Sequence, residues 1–184
     1  MEVIILQSGK EDQIIEGLLT KVQEVLEELQ VGIKKIQLNQ IPYYEGYKEP
    51  ISGGIINSIE KASGVIITSR VELLSISGSL CAFFEHCSEY AGEKLFEKPL
   101  FALTVSDWRG EREAAEYILH AWNLLGGIEF DKLGIFAKSY HEDKESIIAV
   151  AEKMTEDFYR SIKQTHYKIK NNDHSIVPRK NKSN

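Results

Sequence analysis

Cysteine is scarce in this chain, and what there is does not cluster. Cys81 and Cys87 are the only two among 184 residues. They lie six apart on one predicted helix, roughly 9 Å along its axis, too far for a disulfide. No CxxC pair and no Cys/His cluster with metal spacing is present, which removes structural zinc and iron–sulfur sites. Proline occurs four times, and no apolar run approaches the roughly 18 residues that cross a bilayer. The start, MEVIILQSGK, has neither a basic n-region nor a small-residue cleavage site. The expected location is therefore cytoplasmic, with no membrane partner.

Several function classes are missing by motif. GxGxxG, GxxxxGK[ST] and GxSxG are all absent. A phosphoacceptor receiver needs acidic residues after the first strand and an Asp ending the third; Gln7-Ser8 and Thr68-Ser69 stand there. Charge is unevenly divided. Residues 1–163 hold 17 Lys/Arg against 27 Asp/Glu, net −10, while residues 164–184 hold five Lys/Arg and one Asp, net +4. An acidic body disfavours nucleic acid as a partner. Residues 1–163 read as one domain; 164–184 read as a polar basic tail expected to be disordered.

What is present is strict alternation. Strands are predicted over 3–6, 33–38, 65–68, 100–105 and about 129–136. Apolar residues at Ile14, Ile15, Leu18, Leu19, Val22, Val25, Leu26 and Leu29 have a 3.6-residue period, and Gly32 is expected to close that helix. Gly53-Gly54 opens a short helix. Leu80, Phe83, Phe84 and Cys87 form an inward face. Ala115, Ile118, Leu119, Trp122 and Leu125 form another, closed by Gly126-Gly127. Ile147, Ala151, Met154, Phe158 and Ile162 line the last. Five helices between and after five strands predict an α/β fold: a three-layer, doubly wound, five-stranded parallel sheet, flavodoxin-like, in order 2-1-3-4-5.

The loop over 69–77 lies where the carboxyl end of the third strand opens into a ligand crevice. Ser77-Gly78-Ser79 starts the next helix, whose first amides favour an electron-rich ligand; Ser77 or Ser79 also suits a plain N-cap. Tyr43, Tyr44 and Tyr47 sit in the loop over 39–50 and offer a wall for substrate or partner. His86, His120 and His141 have no visible nucleophile beside them, and Glu142-Asp143 flank the start of the last helix.

The run VIITSRVELLSISGSLCAFF resembles the third strand, loop and helix of the flavodoxin-like NAD(P)H-dependent FMN reductases. KPLFALTVSD and LLGG resemble their fourth strand and following turn, and LQSGK their phosphate loop. The resemblance spans roughly residues 1–163. Ser8 matches the family's first turn, Gly9 replaces its proline and Lys10 its arginine. Glu11 and Asp12 follow, and Gln13 and Ile15 stand at its hydroxyl positions. Two carboxylates beside a phosphate dianion repel it by roughly 1 kcal/mol each in high dielectric. In the second loop Ser75, Ser77 and Gly78 match, while Arg70 replaces a proline, Glu72 a tyrosine and Leu74 a glycine.

The resemblance implies FMN across the carboxyl ends of the first, third and fourth strands, NAD(P)H as hydride donor and a small-molecule electron acceptor such as a quinone or flavin. It implies a homodimer. Ser8 and Lys10 would hold the phosphate, residues 75–79 the ring or ribityl chain, and Trp108 would cover the ring. Gln13, Ser69, Arg70, Val71, Glu72 and Ser106 complete the implied cofactor-binding set, and no side chain need act as acid or base. The alternative is a flavin-free binding or regulatory module of the same fold.

Overall fold

The computed structural model describes residues 1–39, 41, 53–90 and 96–173. Five strands, β1 (Glu2–Ser8), β2 (Gly32–Gln37), β3 (Gly64–Val71), β4 (Pro99–Ser106) and β5 (Ile128–Phe136), form one sheet in the order β2-β1-β3-β4-β5. Every pairing is parallel. The helices are α1 (Gln13–Glu28), α2 (Gly53–Lys61), α3 (Gly78–Cys87), α4 (Glu111–Leu124), α5 (Ala137–Glu142) and α6 (Lys144–Asp173). This is the flavodoxin-like order expected from the alternation. Among the described residues no helix is long and apolar enough to cross a membrane.

Burial explains the strand composition. β4 is buried along its whole length, and β1 and β3 nearly so. Both faces of these strands meet helices, so their apolar residues run without alternation. The edge strands β2 and β5 are largely exposed or half-buried and carry Lys34, Lys35, Glu129 and Asp131. Such charges on an edge discourage further strand addition. On one face α2, α3 and α4 close over Ile4, Leu6, Val65, Ile67, Leu100 and Ala102. On the other, α1, α5 and α6 close over Val3, Ile5, Ile66, Phe101, Leu103 and Val105.

Three boundaries differ from the sequence reading. α1 ends at Glu28, and the left-handed residue after it is Gln30 (φ 59), not Gly32, which opens β2. Helix α5 is an added turn before α6, and Asp143 between them accepts a bond from the Ser146 amide at 3.3 Å. α6 runs on to Asp173, so the boundary drawn at 163 falls inside a helix. The spaced apolar positions stop near Ile162, where burial stops, but Lys and Gln are good helix formers and the backbone continues. Residues 174–184 and the tyrosines at 43, 44 and 47 lie outside the described residues.

Gly126 (φ 98) and Gly127 end α4 as expected. Trp122 is fully buried, meets Phe96 edge-on at 5.1 Å between centroids, and donates its indole N–H to the Lys98 carbonyl at 2.9 Å. A Cβ at Gly127 would fall inside the Trp122 ring. Gly127→Ala is therefore expected to cost about 1–3 kcal/mol through overpacking. Urea unfolding followed by Trp fluorescence measures it.

Candidate functional site

Three loops meet at the carboxyl end of the sheet. The first follows β1. Its Gly9 has φ 85, and a Cβ there would come within 3.3 Å of the Arg70 Cβ, so both the conformation and the space favour glycine. The Ser8 hydroxyl is buried and donates to the Thr68 carbonyl at 3.1 Å. Asp12 then caps α1, accepting from the amides of Ile14 and Ile15 at 2.9 and 3.0 Å. Gln13, the first residue of the helix, is exposed and lines none of the clefts described below.

The second loop leaves β3. Ser69 is buried beneath the crevice, Val71 is largely buried but borders its smaller cleft, and Arg70 lies across it. The Arg70 guanidinium reaches Asp12 Oδ2 at 2.5 Å on one side and Asp107 on the other. Arg70 and Asp12 keep only 13% and 14% of their side chains exposed, whereas Asp107 is largely open. The pair therefore works in a reduced dielectric, where charge-assisted bonds are strong. Lys10 and Glu72 pair at 3.0 Å, both well exposed, and such pairs contribute little.

Leu74 holds φ 59 at the position where the resembling family has glycine. The loop thus keeps the left-handed conformation without the residue that adopts it freely. Leu74 packs on Gly110, where a Cβ would meet the Leu74 Cα at 2.7 Å. Ser77 caps α3, accepting from the Leu80 amide at 3.3 Å, with its hydroxyl 3.1 Å from that of Ser79. The third loop follows β4. Ser106 is buried, accepts from the Trp108 amide at 3.2 Å and lies 3.3 Å from a Glu111 carboxylate oxygen. Trp108 is 79% exposed.

Two adjoining clefts result. One, of about 550 Å³, runs from Gly9 and Lys10 to the hydroxyls and backbone of Ser75, Ser77, Gly78 and Ser79, with Asn39 at its end. The other, of about 410 Å³, lies between Asp12, Arg70 and Trp108. Lys10, Arg70, Glu72 and Leu73 border both. Their rim is apolar at Leu73 and Trp108, both exposed. The structure thus brings Lys10, Arg70, Glu72, Ser75, Ser77, Gly78 and Trp108 to one crevice. It keeps the hydroxyls of Ser8, Ser69 and Ser106 in bonds below it.

Asp12, Asp107 and Asn39 also border the crevice, outside the set that the sequence suggests. Asp12 had a readable signal, since an Asp directly before an apolar-periodic segment marks an N-cap. Asp107 had none, because its partner is 37 residues away. Elsewhere His86 is buried, His120 and His141 are exposed, and burial pushes the thiols of Cys81 and Cys87 above their usual value. Among the described residues no cluster could hold a metal ion.

A crevice over the carboxyl ends of the central strands, where helices leave on opposite faces of the sheet, defines a flavodoxin-like protein. The chain belongs to the NADPH-dependent FMN reductase family, whose model matches residues 1–164. No curated protein matches it in sequence. Among solved structures it is similar to a flavone reductase (TM-score 0.68, 12% identity, 89% of this chain and 63% of that one). It is also similar to a short-chain flavodoxin associated with a non-canonical PDU bacterial microcompartment (0.67, 12%, 88% and 99%). A third is the NAD(P)H:(acceptor) oxidoreductase FerB from Paracoccus denitrificans (0.65, 13%, 86% and 97%).

The residues present fit one half of an FMN molecule. Hydroxyls and backbone at residues 75–79, with the apolar rim, suit a flat ring and a polyol chain. The phosphate end does not fit. The α1 amides of Ile14 and Ile15 and the Arg70 guanidinium already hold the Asp12 carboxylate.

Leu74→Gly is expected to stabilise the fold by about 0.5–1 kcal/mol, because relief of the left-handed leucine outweighs the added chain entropy of glycine. Thermal unfolding should shift upward by roughly 1–4 °C.

Proposed function

We propose that this chain is a flavin-dependent NAD(P)H oxidoreductase. The observation that carries the reading is the crevice over the ends of β1, β3 and β4, walled by Ser75, Ser77 and Gly78, in a chain of this family. FMN is the flavin the family description names, and a nicotinamide cofactor is the reductant. When bound, a flavin supplies the capacity to take hydride from nicotinamide and deliver it to an acceptor. The protein's part is placement. Ser77 and Gly78 bring the start of α3 to the crevice, and its free amides favour an electron-rich edge. Trp108 offers a flat apolar face at the mouth. Lys10 keeps Glu72 paired and so offsets a carboxylate that would oppose negative charge building nearby. The acceptor is a small molecule such as a quinone or a second flavin, and the location is cytoplasmic.

The test is the visible spectrum of the purified protein, then titration with flavin and turnover with NADH and NADPH. Bands near about 375 and 450 nm, or a dissociation constant of roughly micromolar (about −8 kcal/mol) followed by nicotinamide oxidation, are expected. A colourless protein that ignores flavin at roughly millimolar levels would sink the reading and leave the flavin-free module of the same fold.

A homodimer is part of the proposal. On the outer face of α3 and α4, a groove of about 500 Å³ is lined by Cys81, Phe84, Tyr117 and Leu125. Leu124 also lines it, with 81% of its surface exposed. Such an exposed apolar groove suits isologous pairing. Leu124→Lys is expected to shift the sedimentation coefficient to that of a monomer with the melting temperature little changed. An unchanged dimer would place the interface elsewhere.

A further inference from the structure

The crevice has a polar wall ready for a ligand and an anion seat that is already taken. Asp12 occupies that seat from within the chain. One of its oxygens accepts from the amides of Ile14 and Ile15 at 2.9 and 3.0 Å. The other receives Arg70 Nη1 at 2.5 Å, and the second Arg70 nitrogen is paired with Asp107. The Ser8 hydroxyl gives its proton to the Thr68 carbonyl. Of the side chains that border this turn, Lys10 is a further cation, and it is exposed and paired with Glu72. An incoming phosphate dianion therefore meets a carboxylate that already holds the Arg70 guanidinium and the Ile14 and Ile15 amides.

The remainder of the crevice makes no such demand for charge. Ser75, Ser77 and Ser79 border the larger cleft with the backbone at Gly78. These groups suit the hydroxyls of a ribityl chain and the polar edge of an isoalloxazine, both uncharged.

We propose that the flavin site of this chain does not recognise the terminal phosphate, so that riboflavin and FMN bind alike, and that Asp12 is the residue that sets this specificity. The proposal rests on the flavin reading given above. Asp12 acts by filling the seat and by repelling a second anion. Removing its charge while keeping its cap leaves Arg70 with Asp107 alone, and opens one face of the guanidinium to phosphate. Asparagine caps a helix about as well as aspartate, so Asp12→Asn keeps α1 intact.

The experiment is a pair of fluorescence-quenching titrations, riboflavin and FMN, on the full chain and on Asp12→Asn, at low and at moderate salt. For the unaltered protein the two dissociation constants should agree within about threefold, because the charges of Asp12 and Arg70 offset one another, and their ratio should change little with salt. In Asp12→Asn, FMN should tighten about tenfold, as expected for relieving a unit charge close to a dianion. Riboflavin should stay within about twofold. The gain for FMN should fade as salt rises. Asp12→Ser, which also caps, provides the same comparison should the asparagine variant fold poorly. Unaltered protein that prefers FMN by more than tenfold would overturn the proposal, as would variants with an unchanged FMN-to-riboflavin ratio. Binding of neither flavin to the unaltered protein overturns the flavin reading itself, and this proposal with it, and is a different pattern from either.

Discussion

Three strands with apolar side chains on both faces cannot face water on either side. In this chain β1, β3 and β4 are such strands, and everything else follows from covering them. The connections must be crossovers long enough to carry helices, because parallel neighbours cannot be joined by tight turns. Helices α2, α3 and α4 take one face and α1 and α6 the other. Backbone left uncovered by this arrangement is concentrated at the strand ends. The carboxyl end, where α1 and α3 depart on opposite faces, becomes a place where a small ligand can reach main-chain amides without breaking the core.

At that end, charge joins turns that are far apart in the chain. Arg70 ties the turn after β1 to the turn after β4 through Asp12 and Asp107. Its side chain is mostly shielded, so the attraction is less screened than that of the exposed Lys10–Glu72 pair. A proline at this position, as in the resembling family, could make no such bridge. The same residue that braces the crevice thus changes what it can hold. Family membership and local chemistry answer different questions here. The family model covers nearly the whole chain, whereas the anion seat depends on a handful of side chains.

Leu74 illustrates how a loop conformation survives the loss of the residue that best suits it. Its φ of 59 persists because Gly110 leaves room for it and because Ser77 fixes the start of α3 three residues on. The backbone path is set by its ends, and the strain is borne locally.

Much of the fold was legible in the residues. Alternating strand and helix patterns, the buried runs at 65–68 and 100–105 and the Gly126-Gly127 stop each reflect interactions within a few residues, and each emerges in the structure. The crevice was legible too, since Ser75, Ser77 and Gly78 lie on one loop and one helix start. Boundaries without an apolar signal were not. Gln30 in place of Gly32, the added turn α5, and the run of α6 to Asp173 depend on backbone bonding that continues where burial ends. The sequence by itself determined the order of elements, the faces they bury and the loop that opens the crevice, because those are set by periodicity and local caps. Only the tertiary structure decided that Arg70 joins Asp12 to Asp107. Asp12 and Asp107 come from the turns after β1 and β4 and Arg70 from the end of β3, and their charges meet because the parallel sheet aligns the ends of those strands.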